Sequence, residues 1–108
     1  MAENVNLIAV GTAKLDTERR VLILADGTED RLSPGEFALL VALTASPNRA
    51  IRRELLLKMV TNREPRELDR SVDNRIMRLR RKIERDPRKP QTIRSISGVG
   101  YIFVPAKD

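Results

Sequence analysis

The chain has neither cysteine nor histidine. Their absence removes disulfides, thiolate nucleophiles, zinc sites built from the usual ligands, and any Ser-His or Cys-His triad. It is also compatible with a reducing cytoplasm. Aromatic residues are limited to Phe37, Tyr101 and Phe103, so the core must be built from Leu, Ile, Val and Ala. The same scarcity disfavours RNA readers that stack bases on exposed rings. No run approaches the ~20 apolar residues of a membrane span. The opening "MAENVNLIAV" lacks the basic start and long apolar stretch of a signal peptide. No cofactor is expected.

What is abundant is positive charge, and it is unevenly placed. The 108 residues carry a net charge of +6. Between Arg49 and Arg94 there are 16 Lys/Arg and 7 Asp/Glu, a net of +9, whereas the remainder is net −3. Such asymmetry favours a polyanionic partner. The length fits one domain with a modest core.

The first part reads as short strands: "NLIAV", "AKLD", "RRVLIL" and "TEDRL", with Asp26-Gly27 as a tight hairpin turn. A helix follows from Pro34 to about Ala45. Ser33 and Glu36 form a capping box, and Pro34 occupies the first helical position. Phe37, Leu40, Val41 and Thr44 recur at helical spacing, and Leu39 and Leu43 widen the stripe. A second helix covers about Arg52 to Val60, with Leu55, Leu56 and Met59 as its expected apolar face. A third runs from about residue 67 to 85, with Glu67 and Asp69 in its first turn facing the positive end of the helix dipole. The segment around Gly98-Val99-Gly100 closes the chain as two strands over about residues 91–104. The last strand is apolar on both faces and should be covered.

The third helix carries the chemistry. On a helical wheel Leu68, Val72, Ile76, Leu79 and Ile83 fall within roughly 60° of one another. Opposite them lie Arg70, Asn74, Arg78, Arg81 and Arg85. Met77 borders this line on one side, Arg75 and Lys82 on the other, and Arg80 sits nearer the buried edge. One arginine alone would be a solvated surface charge. A line of arginines with Asn among them and no carboxylate suits the major groove: Arg pairs with guanine and Asn with adenine in bidentate fashion, and flanking cations meet phosphates. A membrane-surface helix would show a broader apolar face with aromatics, and a calmodulin target needs that face free. "SGVG" precedes a strand, not a helix, so a nucleotide-binding loop is disfavoured. Arg94, Ser95 and Ser97 are donors of the hairpin. Two other readings stand beside duplex DNA: a protein-interaction module whose basic face meets an acidic protein, and, more distantly, magnesium at Asp69 and Asp73.

The succession "LSPGEFALLVAL", "RSVDNRIMRLRRKIERDP" and "IRSISGVGYIFVP" resembles the OmpR/PhoB-type winged-helix effector domain of bacterial two-component response regulators. With the N-terminal strands, the resemblance covers nearly the whole chain. It implies an α+β winged helix-turn-helix: an N-terminal four-stranded antiparallel sheet, three helices and a C-terminal β-hairpin wing. It further implies a cytoplasmic transcription regulator bound to double-stranded DNA, commonly as head-to-tail pairs on direct repeats, and no enzyme. Base-facing positions fall on Asn74, Arg75, Met77 and Arg78. Phosphate contacts are expected from Arg52, Arg53, Arg70, Arg80, Arg81, Lys82 and Arg94, and the wing places Ser95, Ser97, Gly98 and Gly100 near the duplex. The loop of Thr61, Asn62, Arg63, Glu64 and Arg66 falls where relatives meet RNA polymerase or a neighbouring protomer. In two places the sequence departs from the pattern. Ser97 stands where many relatives carry a minor-groove Arg before the first wing glycine, leaving Arg94 as a partial substitute through phosphate. Arg52 stands where many cap the second helix with Ser or Thr. No phosphoacceptor receiver domain lies within these residues; the chain reads either as an effector domain cut from a longer regulator or as a stand-alone protein.

Overall fold

A computed structural model describes residues 6–61 and 70–106. Strands β1 (Leu7–Val10), β2 (Ala13–Asp16), β3 (Val21–Ile23) and β4 (Glu29–Arg31) form an antiparallel meander in sequence order. The turns are set locally. Asp16 accepts the amides of Glu18 and Arg19 through Oδ1 at 3.1 and 3.0 Å. Asp26 accepts the amide of Thr28, and Gly27 takes the positive φ expected of its turn.

Helix α1 (Pro34–Thr44) starts on the expected capping box, with both reciprocal bonds between Ser33 and Glu36 formed. It buries Leu39, Leu40 and Leu43, whereas Val41 faces solvent. A strand that the pattern did not suggest, β5 (Ala50–Arg52), leads without a linker into α2 (Arg53–Thr61). The apolar face of α2 also differs from expectation. Leu56 and Leu57 are buried, with Val60 packed beside them, while Leu55 and Met59 are about half exposed (48% and 50%). Three consecutive leucines fit either of two adjacent faces, and packing selects one.

Helix α3 spans Ser71–Ile83, shorter at its C-terminal end than expected. Arg70 occupies the N-cap without a side-chain capping bond; Glu67, Leu68 and Asp69 lie outside the described residues. Val72, Ile76, Leu79 and Ile83 are essentially buried, forming the anticipated seam against the core. The helix stops at Ile83 because Glu84 turns extended and its carboxylate accepts the amides of Gln91, Thr92 and Ile93 at 2.8–3.1 Å. The Ile83 carbonyl, orphaned by that ending, accepts both the amide and the hydroxyl of Thr12 from the β1–β2 turn.

Strands β6 (Ile93–Ile96) and β7 (Gly100–Phe103) form the C-terminal hairpin, and β5 adds to the other edge of β7. The strand that is apolar on both faces is thus central, as its composition requires. Gly100 makes this possible: a Cβ there would collide with the Ile51 carbonyl and the Arg53 amide. Gly100→Ala should therefore destabilise the domain by about 1–3 kcal/mol, as overpacking does. Urea denaturation measures it, and an unchanged midpoint would contradict this packing.

Candidate nucleic-acid interface

With the α3 seam turned inward, the opposite face is fixed outward. Asn74, Met77, Arg78 and Arg81 are exposed there, whereas Arg85, expected in the same line, is exposed beyond the helix end at Ile83. Among the described residues, Arg78, Arg81 and Arg85 have no carboxylate partner. The Arg78 and Arg81 guanidinium groups form a positive row on a helix of about the width a major groove accepts, and Arg85 follows beyond the helix end at Ile83.

The cations bordering the row have partners or resting places within the domain. Arg80 donates through Nε and Nη2 to the Ile93 carbonyl and through Nη2 to Ser95 Oγ, with its guanidinium 5.7 Å from the Tyr101 ring centre. It ties α3 to the hairpin. Lys82 is turned to the N-terminal side, where Asp30 holds its ammonium at 3.0 Å and Glu36 lies 3.9 Å away. Arg75 does not stand in the row either: it lies over Gly35 of α1 and donates to the Ser71 carbonyl at 3.1 Å. Within Ser71–Ile83 the wheel separated the buried seam from the exposed face correctly, but Arg85 falls past the helix end, and the wheel carried no information about which neighbour a side chain meets.

The N-terminal end of α3 is held by a junction that sequence reasoning missed. Asp73 pairs with Arg53 of α2, accepts the Tyr101 hydroxyl at 2.6 Å, and has Arg70 at 3.6 Å. These partners lie 20 and 28 residues away in the chain, so no local pattern reveals them. Burial alone would raise the Asp73 pKa. The hydrogen bonds from Arg53 and Tyr101, with the charges of Arg53 and Arg70, outweigh it and hold the carboxyl below its ordinary value. The Arg53 guanidinium is raised in turn, chiefly by its hydrogen bond to Asp73. Burial, then the Asp73 contact, pushes Tyr101 up to about 12. Asp73 oxygens engaged this way are spoken for by protein donors, which argues against the magnesium reading; Asp69 lies outside the described residues.

In the hairpin, Ser97 and Gly98 are exposed at the tip, where Gly98 has a φ of 75°. Ile96 and Val99 flank them, 36% and 40% exposed. Ser95 is occupied by Arg80, and Gly100 serves backbone packing. Arg94 is exposed but braced on Gln91, through its carbonyl at 3.0 Å and its side chain at 3.3 Å. Arg52 is 78% exposed, with only a distant Glu54 contact at 3.9 Å, and such a surface pair holds little. Thr61 ends α2 with its hydroxyl on the Leu57 carbonyl; Asn62, Arg63, Glu64 and Arg66 lie outside the described residues.

Tyr101 is the sole tyrosine, so ultraviolet titration of the folded chain reads the junction directly. Its phenol should ionise near 12. Asp73→Asn should lower that midpoint yet leave it above the free-tyrosine value of about 10, because burial remains. A wild-type midpoint at the free value would contradict the contact. The acid side follows from the depressed Asp73 pKa. The stability it contributes is complete above the ordinary Asp value and is lost as pH falls through the lowered one, so Asp73→Asn should flatten that limb of the stability profile.

Comparison with known proteins agrees with this geometry. The family described as "Transcriptional regulatory protein, C terminal" matches residues 27–103. Regulatory protein VirG of Agrobacterium fabrum is 47% identical over 89 residues, which are 82% of this chain and 35% of that protein. Transcriptional regulatory protein AruR of Pseudomonas aeruginosa is 44% identical over 92 residues, 85% of this chain and 38% of that protein. The chain thus spans little more than a third of these relatives. Among solved structures, the Klebsiella pneumoniae RstA DNA-binding domain in complex with the RstA box superposes with a TM-score of 0.77 at 31% identity, covering 93% of this chain and 98% of that one. The Thermotoga maritima response regulator DrrB, an OmpR/PhoB homologue, gives 0.77 at 33% identity over 92% of this chain and 44% of that one. Fold, motifs and relatives together place the chain in the family of OmpR/PhoB-type winged-helix effector domains, the C-terminal part of transcriptional regulatory proteins.

Proposed function

We propose that this chain binds double-stranded DNA sequence-specifically as the effector domain of a transcription regulator. Helix α3 enters the major groove, and the β6–β7 hairpin lies along the adjacent backbone or minor groove. The observation that carries this reading is the outward pair Arg78 and Arg81, without a carboxylate partner among the described residues and opposite a buried aliphatic seam. Asn74, Met77 and Arg78 are the base-facing side chains. Arg81, Arg70, Arg52 and Arg53 supply phosphate contacts, with Arg94 alongside the hairpin. Arg80 and Lys82, like Arg53, would combine such a contact with their bonds inside the domain.

The family's architecture supports several wider roles: a phosphorelay that acts through a receiver domain elsewhere in the regulator, head-to-tail pairing on direct repeats, and a contact to RNA polymerase through the loop of residues 61–66. A cytoplasmic site of action fits a DNA-bound regulator, and no described helix is long and apolar enough to cross a membrane.

Arg78→Ala should weaken binding to the specific duplex by about 1–3 kcal/mol and relax preference at one base position. Arg81→Ala should weaken all duplexes evenly and reduce the slope of log affinity against log salt by about 0.9. Gel-shift titrations with specific and random duplexes across salt concentrations separate these outcomes. A wild-type domain that ignores both duplexes in dilute buffer would leave the basic face to an acidic protein partner instead.

A further inference from the structure

The two cations on one flank of α3, Arg75 and Lys82, are both turned toward the start of α1, but they are held in different ways. Lys82 is held by charge, through Asp30 and Glu36. Arg75 is held by shape. Its guanidinium lies in the space left by the missing side chain of Gly35, where even a Cβ would fall within 3.0 Å of Nε, Nη2 and Cζ. Among the described residues it has no carboxylate partner. Among the same residues its one hydrogen bond runs from Nη1 to the Ser71 carbonyl, and its buried Nε has no acceptor.

That resting place is a poor one for an arginine. A buried N–H without an acceptor loses its bond to water and gains nothing in return. The group also lies against the first turn of α1, where the helix dipole is positive. A phosphate oxygen offers what the cradle lacks: charge and in-plane acceptors for the guanidinium fork. The side chain is long, and nothing but van der Waals contact and one bond hold it back.

Resting on the DNA-binding reading above, we propose that Arg75 is a stowed phosphate contact, parked on Gly35 in the free domain and drawn out by the duplex. Gly35, which itself need not touch DNA, sets how readily it leaves. A methyl group at position 35 displaces only the flexible end of a side chain. Alanine is also the better helix former, so Gly35→Ala should fold at least as well as the wild type.

The test has a DNA-free arm and a DNA arm. Without DNA, hydrogen exchange at the Arg75 Nε–H, followed by nuclear magnetic resonance, should be slowed in the wild type and fall to the solvent rate in Gly35→Ala. Fast exchange in the wild type would overturn the stowed state. With a random-sequence duplex, Arg75→Gln, which keeps much of the stem, should lower the salt slope by about 0.9, as one lost phosphate contact requires. Gly35→Ala should bind several-fold more tightly than the wild type, and the gain should vanish in the Gly35→Ala/Arg75→Gln double variant. If the wild type binds the duplex but Arg75→Gln leaves the slope unchanged, Arg75 is a packing residue and the proposal fails while the DNA-binding reading survives. If the wild type binds no duplex, both fail. A Gly35→Ala gain that persists without Arg75 would also overturn the proposal.

Discussion

Burial of four aliphatic side chains on α3 is the constraint from which the rest follows. Val72, Ile76, Leu79 and Ile83 are each no more than 2% exposed. A helix so anchored cannot roll without exposing that seam, and full burial of one such side chain is worth about 1.5–3 kcal/mol. The rotation of α3 is therefore fixed by the core, and the direction of Asn74, Arg78 and Arg81 is fixed with it. Both ends are then fastened by polar contacts: Asp73 to Arg53 and Tyr101 at the start, Thr12 to the Ile83 carbonyl at the finish. Because rotation and both ends are set before any partner arrives, the outward row is rigidly presented.

The division of labour among the cations follows from their distance to that seam. Arg78 and Arg81, directly opposite it, are exposed and have no carboxylate partner among the described residues. Those at its margins touch neighbouring elements and are used to assemble the domain: Arg80 toward the hairpin, Lys82 toward β4 and α1, Arg75 onto Gly35. Formal charge counted along the sequence thus overstates what is offered at the surface, because part of it is neutralised or braced internally.

The features legible in the sequence are those whose cause is local. The Ser33–Glu36 box, the Asp26-Gly27 turn and the α3 seam each depend on residues within a turn or a few turns of one another, and each formed as expected. The two-faced apolar character of β7 also told that it is no edge strand: β5 and β6 pair with its two edges, although only Phe103 of it is fully buried. Strand β5 was hidden because three residues have no periodicity; it exists only through pairing with β7, Ala50 opposite Ile102. The end of α3 was placed too late because Glu84 suits a helix by propensity, and its real task is to gather amides seven to nine residues ahead. The Asp73 junction and the Gly35 cradle join elements distant in the chain, and nothing in either local stretch announces the other.

The strand β5 ends at Arg52, and α2 begins at Arg53, whose amide is bonded to the Val99 carbonyl beside the hairpin tip. No slack separates hairpin from helix. The hairpin is accordingly a handle and not a flap: whatever seizes its tip also grips the first turn of α2, and the two move as one lever.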